Sequence, residues 1–315
     1  LGFGPSSNRG AEAARGRYLV FLNNDTEVQP GWLAALLGTF QRDEEAGLVG
    51  VRLVYPDGSL QEAGGQTFPD GSAANCGRGQ DPEAPPYRYL REVDYCSAAC
   101  IMVPRSLFRS LGGFDPAYGR AYYEDTDLAF KVRQAGRRVY YQPQALVLHH
   151  EGASAGRDPG DPRSVKHGQE INRTIFRTRW AAELEERDRR GPGKDPDHLG
   201  ETQRRILFVD DTMLTPDRDS GSLRAFRLLQ LIREEGFHPI FCPRNLKGRR
   251  PYLEALEQEG VECWHTPHIE SVAEYLRRYG RSLDLVMLSR FEVARMLMPE
   301  VRRLAGPVPV VFDTV

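Results

Sequence analysis

From Arg205 onward, apolar runs of strand length alternate with stretches of helix length, and this alternation constrains the fold more than any other feature of the chain. Strands are expected at 206–210, 237–242, 261–265, 283–288 and 308–312, and helices at 222–235, 251–259, 270–279 and 291–304. Such a succession favours a parallel, doubly wound sheet. Upstream the rhythm is looser. Residues 17–22 read as a buried strand, Leu33, Leu36, Leu37 and Phe40 as a helix face after Pro30, and 47–55 as a second strand before the turn dipeptide Asp57–Gly58. The stretch 66–86, rich in Gly, Pro, Asn and Asp, reads as a long surface excursion with room for a hairpin. Cys100–Val103 is a further strand, and Pro104 opens a short helix that Gly112–Gly113 stops. Asp125–Ala135 is a helix with acids in its first turn and Gly136 as its cap.

With 315 residues, 40% hydrophobic content and a net charge of -2, the chain has material for two ordinary domains. Residues 183–204 lack an apolar face and carry Gly and Pro, so they are expected to link a domain at 1–182 to one at 205–315. Acids balance the many arginines, which argues against a nucleic-acid partner. The five cysteines, Cys76, Cys96, Cys100, Cys242 and Cys263, form no CxxC pair and suit reduced core thiols in a cytoplasmic protein. No window approaches the roughly 18 apolar residues of a membrane span. A cytoplasmic location is therefore expected, with at most peripheral association with membrane assembly machinery at the inner face. The chain opens at Leu1 inside a motif and stops at Val315 just past a strand, as a piece of a longer protein would.

The strand Tyr18–Leu22 ends in Asn23-Asn24-Asp25. In isolation such an Asp is a strand-ending turn residue. Here it has company: Asn8-x-Gly10 with Ala14-x-Gly16 before it, then Gly112-Gly113-Phe114-Asp115, then Glu124-Asp125, then His149-His150. In that order these motifs make residues 4 to about 180 resemble the inverting family-two glycosyltransferases of GT-A fold, within them the rhamnosyltransferase-like enzymes of bacterial polysaccharide synthesis. The resemblance implies sugar transfer from a dTDP- or UDP-sugar to a glycan or lipid-linked glycan, by single displacement. It implies Mg²⁺ or Mn²⁺ held by Asp25 and by a histidine. His149 is the matching one, but adjacent strand residues face opposite ways, so His150 stays open. Asn23 stands where the familiar Asp-x-Asp motif has its first acid, and an amide suits a hydrogen bond to ribose or water better than a metal.

The match places the general base at Asp125, with Glu124 orienting the acceptor or holding the loop. Gly113, Phe114 and Asp115 would let backbone approach the donor sugar, and Asn8, Arg9 and Gly10 would reach its diphosphate. Asp127 and Lys131 read as an i,i+4 surface pair.

In the second half, Asp210–Asp211 after a strand would suit a phosphorylation receiver, but no Asp follows the third strand. No Gly-x-Gly-x-x-Gly follows a strand, against a dehydrogenase. Thr215–Ser222 instead resembles the start of family-four glycosyltransferases of GT-B fold. That resemblance marks Asp219, Gly221 and Ser222 as a candidate site for an anionic diphosphate or an acceptor at a helix start. The expected architecture is thus α/β: an incomplete GT-A nucleotide-sugar transferase domain, then a Rossmann-like N-terminal half of a GT-B enzyme, the piece alone being inactive. The competing class is a non-catalytic sugar-nucleotide-binding or scaffold module.

Overall fold

The computed structural model describes residues 2–119, 122–150, 165–189 and 204–314. The expected linker at 190–203 and Glu151–Gly152 lie outside the described residues. The chain divides into two compact units, one of residues 1–82 with 91–192 and one of residues 83–90 with 193–315. Among the described residues, no helix is long and apolar enough to cross a membrane.

The first unit runs α1 (Phe3–Ala13), β1 (Tyr18–Leu22), β2 (Thr26–Val28), α2 (Trp32–Arg42), β3 (Ala46–Val54), β4 (Leu60–Glu62), β5 (Gly65–Thr67), β6 (Ala73–Asn75), β7 (Arg91–Glu92), β8 (Cys100–Pro104), α3 (Arg105–Ser110), α4 (Glu124–Gln134), β9 (Arg138–His149), α5 (Val165–Arg179) and α6 (Ala181–Arg189). Its mixed sheet has the order β1-β8-β3-β9-β2, with β4 also on β3 and β7 also on β9. The central strand β3, parallel to β9 and antiparallel to β8, is buried at every position. Strand β1 departs from the expected buried strand. It lies at the end of the sheet order and buries Leu19 and Phe21 on one face while exposing Val20 and Leu22 on the other.

Strand β9 is longer than its apolar end suggests. Val51 pairs with Gln142 and Arg52 with Leu146, so three residues around Pro143 bulge out of the ladder. A proline lacks the N–H that a ladder needs, and its presence hides the first half of the strand from a periodicity search. The excursion at 66–86 contains the β5–β6 hairpin. Residues 183–189, expected as linker, belong to α6, because Leu184 joins Phe130, Phe176 and Trp180 in an apolar cluster.

The second unit runs β10 (Arg205–Asp210), α7 (Ser220–Glu234), β11 (His238–Pro243), α8 (Tyr252–Gln258), β12 (Glu262–Cys263), α9 (Val272–Tyr279), β13 (Leu285–Ser289), α10 (Phe291–Leu304) and β14 (Val310–Asp313). All five strands are parallel, in the order β12-β11-β10-β13-β14. Side chains of β10 alternate between two cores. Leu207 and Val209 pack with Leu276 and Val301, while Phe208 packs with Leu229 and Leu256. Period-two burial on both faces is what helices on both sides of a sheet require.

A polar knot interrupts this core. The buried Glu262 carboxylate meets His238 Nε2 at 2.7 Å and accepts from Trp264 Nε1 at 2.5 Å. Burial works against its charge, but the His238 bond and charge and the nearby Arg205 win, and its pKa falls to about 2. The stabilisation is therefore complete above the unfolded value of 4.5 and is lost as pH falls toward about 2. Glu262→Ala should cost about 3–5 kcal/mol, because a buried pair loses one partner. Hydrogen exchange of the β11 and β12 amides should speed up accordingly, and unchanged protection would contradict this account.

Candidate active site

The chain leaves β1 at Leu22, turns through Asn23–Asp25 and re-enters as β2 against the end of β9. Thr26 pairs with His149, and His150 N–H donates to Asp25 O at 2.9 Å. This pairing settles which histidine faces Asp25. His149 Nε2 lies 3.3 Å from Asp25 Oδ1, whereas His150 points to exposed Glu27 at 2.8 Å. His149 is buried, and its Nδ1 meets Gln61 Oε1 at 3.1 Å. When Nδ1–H donates to Gln61 Oε1, the Nε2 lone pair faces the Asp25 carboxylate. Two acceptors so placed suit a cation between them. Among the described residues no group of three or more His, Cys, Asp or Glu forms a metal cage. A metal here would have two protein donors and would take its remaining ligands from phosphate and water, as Mg²⁺ commonly does.

The start of α4 presents the second group. Tyr122 and Tyr123 both have left-handed backbones, with φ of 74° and 72°. Such conformations are costly for aromatic residues, and three hydrogen bonds stabilise the turn. Buried Asn172 donates through Nδ2 to Tyr118 O at 2.7 Å and Tyr122 O at 3.0 Å, and Tyr123 OH donates to Gly71 O at 3.0 Å. Glu124 follows, buried, with no hydrogen bond to Oε2. Burial, reinforced by the charge of Asp125, pushes its pKa up to about 8. Asp125 is half-buried as a residue, but its carboxyl sits deeper than the residue as a whole, and burial raises its pKa. N–H donors oppose that rise: Ala98 to Oδ2 at 3.2 Å and Thr126 to Oδ1 at 2.7 Å.

Between these groups runs the segment Ser97-Ala98-Ala99, which sequence reasoning missed. Ser97 N–H donates to Glu62 Oε1 at 2.8 Å, Ala98 N–H to Asp125, and Ala99 O accepts from Asn23 N–H at 2.9 Å. Adjacent residues of β4 thus serve both sides, Gln61 through His149 and Glu62 through Ser97. Two glycines seat the approach to the segment. A Cβ on Gly50 would fall 2.2 Å from Cys96 Cβ, and one on Gly65 would fall 2.1 Å from the Tyr95 ring. The only sequence signal was a Gln-Glu pair beside a Gly-Gly turn, which also describes an ordinary surface hairpin.

The remaining expected residues divide into separate groups. Asn8 receives the Phe114 N–H at 3.0 Å and donates to Phe114 O at 2.8 Å, bracing the left-handed Gly113 and the buried Phe114 ring. Gly10 is exposed on α1, with open space where a Cβ would stand. Asp115 caps the turn Pro116–Tyr118 and pairs with Arg179 at 2.8 Å. Partial burial opposes its charge, but the Ala117 N–H, Arg179 and Lys131 hold its carboxyl below the usual range. In the second unit Asp219 caps α7, accepting from Ser222 N–H at 2.7 Å, with Gly221 between them and Ser222 buried. The expected Asp127–Lys131 surface pair is corrected. The pair exists at 2.9 Å, but Asp127 is fully buried and also accepts from Tyr118 OH, Arg179 and Trp180. An i,i+4 spacing says which residues meet and nothing about which face of the helix they lie on.

Comparison with known proteins places this geometry. Residues 1–112 match the family described as Glycosyl transferase family 2. The O-antigen biosynthesis protein RfbC of Myxococcus xanthus is 35% identical over 48% of this chain and 12% of its own length. The N-acetylglucosaminyl-diphospho-decaprenol L-rhamnosyltransferase of Mycobacterium tuberculosis (strain ATCC 25618 / H37Rv) is 34% identical over 48% of this chain and 52% of its own. The chain thus spans 12% of the first relative and 52% of the second. A solved structure of GalNAc-T7 with UDP, GalNAc and Mn2+ aligns with TM-score 0.44 and 18% identity, over 58% of this chain and 36% of that one.

Because burial raises the Glu124 carboxyl in the folded state, its contribution to stability is complete below the unfolded value of 4.5 and is lost as pH rises through about 8. Glu124→Gln removes that loss. The variant should melt at a higher temperature than the parent at pH 9 and show a much smaller difference at pH 4. A difference that does not depend on pH would contradict the raised carboxyl.

Proposed function

We propose that the first unit transfers a sugar, with inversion, from a nucleotide diphosphate to a glycan or lipid-linked glycan in cell-surface polysaccharide synthesis. One observation carries the reading: the segment Ser97–Ala99 touches both the Asn23–Asp25 strand end and the Asp125 carboxylate. In this reading the two requirements of an inverting displacement, a charge-neutralising edge and a base, both rest on that short piece of backbone. The family-two match and the rhamnosyltransferase and O-antigen relatives support it.

In this reading Asp125 removes the acceptor hydroxyl proton as the oxygen attacks the anomeric carbon, and the bond from that carbon to the diphosphate breaks. A carboxyl raised by burial is a stronger base once ionised, and the Ala98 and Thr126 N–H groups help ionise it. Glu124 orients the acceptor. Asp25 and His149 would hold Mg²⁺ or Mn²⁺, which supplies positive charge against the departing diphosphate. Gln61 fixes the His149 ring for that task. Asn23 serves ribose or water, while Asn8, Gly10, Gly113, Phe114 and Asp115 form the donor side for a dTDP- or UDP-sugar. The second unit is proposed as the Rossmann-like N-terminal half of a GT-B glycosyltransferase, on its parallel strand order and its capped α7 start.

The non-catalytic binding reading rests on Asn23 in place of a carboxylate, and the same experiments separate the two. Asp125→Asn should lower kcat by about 10²–10⁴-fold while leaving nucleotide binding intact. Near-normal transfer by that variant would remove Asp125 from the role. One of dTDP, UDP or GDP, with Mn²⁺, should stabilise the parent by about 2.7 kcal/mol at a hundred times its Kd, and Asp25→Ala should abolish this. Metal-dependent stabilisation without transfer from any donor would favour the binding module. Gln61→Ala should weaken Mn²⁺ affinity by about 10–100-fold in direct titration, and unchanged affinity would leave Gln61 a structural residue only.

A further inference from the structure

We infer that Glu62 is a positioning residue for the base: by accepting from Ser97 N–H it fixes the segment whose next N–H, Ala98, holds Asp125. This inference rests on the transfer reading above. Glu62 ends β4, pairs with Leu53 of the central strand and is almost wholly buried. A buried carboxylate costs folding energy that an apolar residue on the same strand would not. A backbone N–H needs only an acceptor at the right reach, and Glu62 Oε1 stands 2.8 Å from Ser97 N.

The three contacts along the segment differ in length. Ser97 to Glu62 is 2.8 Å, Ala99 to Asn23 is 2.9 Å, and Ala98 to Asp125 is 3.2 Å. The contact to the base is the longest and so the first to fail if the segment moves. Tyr95 and Cys96 lie against Gly65 and Gly50, so the approach to the segment cannot sink further toward the sheet. Displacement must therefore be a lift away from β4, and the Glu62 bond resists it. Losing that bond would weaken the Ala98 contact, remove a donor from Asp125, and shift the base against the strand end. Its two contacts from Thr126 would remain, which limits the effect to a partial one.

The test uses the full chain with Glu62→Ala, Glu62→Asp and Glu62→Gln, with thermal melts to confirm folding. Carboxyl ¹³C NMR of the ligand-free protein reads the Asp125 titration midpoint, and a transfer assay reads kcat and donor KM. Glu62→Ala should raise the Asp125 midpoint and lower kcat by about 10–100-fold, with donor KM changed by less than about twofold. Glu62→Asp keeps the charge but shortens the reach, so its midpoint should also rise, and it carries the test if the alanine variant fails to fold. Glu62→Gln presents an amide oxygen at the same reach and should restore both quantities to within about threefold. An unmoved midpoint in the alanine and aspartate variants overturns the inference. So does a glutamine variant as defective as alanine, which would make charge rather than position the operative property. The midpoint is read without donor, metal or acceptor, so a parent protein that transfers nothing would overturn the proposed function and leave the positioning result standing.

Discussion

The candidate site depends on one buried carboxylate that is not itself part of the chemistry. Asp127, with no exposed side-chain surface, receives Tyr118 OH, Arg179 and Trp180 on Oδ1 and faces Lys131 across Oδ2. Left alone at that depth, the charge would cost several kcal/mol. With two cations and two neutral donors around it, the charge instead locks the first turn of α4 to the turn before it and to the α5–α6 junction. Glu124 and Asp125 sit three and two residues before it in the same first turn. Their direction is fixed because Asp127 cannot rotate away without stranding Arg179, which also pairs with Asp115. The two left-handed tyrosines before Glu124 make the same point from the other side. Backbone in that region relaxes unless its surroundings over-determine it, and Asn172 and Asp127 supply that determination from α5 and α4.

Two effects compete at the helix start, and their directions decide which prevails. The N-terminus of α4 favours negative charge through its free N–H groups, an effect of up to about 2 kcal/mol in partly buried geometry. Burial disfavours it, and the mutual repulsion of Glu124 and Asp125 adds to burial. Both carboxyls end above their ordinary values, so burial and repulsion prevail. The outcome is asymmetric. Asp125 receives three hydrogen bonds from Ala98 and Thr126, whereas Glu124 Oε2 has none. Hydrogen bonding therefore favours ionised Asp125 and leaves the proton on Glu124, whose carboxyl burial has raised to about 8. Paired acids divide roles in this way when their environments differ.

Much of this arrangement was legible in the residues because it follows local rules. The parallel strands of the second unit start within two residues of their expected positions, since apolar runs flanked by amphipathic helices leave few alternatives. The end of the strand before Asn23–Asp25 and the helix start at Glu124–Asp125 were legible as ends of elements. Three things were not legible, each for a physical reason. Pro143 hid half of β9, because a bulge suspends the two-residue period. The burial of Asp127 was hidden because its partners Tyr118, Arg179 and Trp180 come from other turns of the chain. Gln61 and Glu62 went unread because their meaning lies in contacts made 88 and 35 residues away.

The glycines explain why the segment between the two halves of the site is defined at all. Loops of small residues such as Ser-Ala-Ala have no side-chain bulk to anchor them, and most would be mobile at the edge of a sheet. Here the anchoring comes from the neighbours. Cys96 occupies the space a Cβ on Gly50 would need, with its Sγ on Tyr140 O at 3.5 Å, and Tyr95 lies flat over Gly65 with its hydroxyl on Asn75 Oδ1 at 2.9 Å. The residues just before Ser97 are thus pressed against two strands, β3 of the mixed sheet and β5 of the hairpin, while Ser97, Ala98 and Ala99 expose backbone groups to three other elements. Small side chains are then an advantage, because the backbone itself makes the contacts. The separation between the Asn23–Asp25 strand end and Asp125 is accordingly a property of sheet packing rather than of loop conformation, and it should change little between the free and ligand-bound protein.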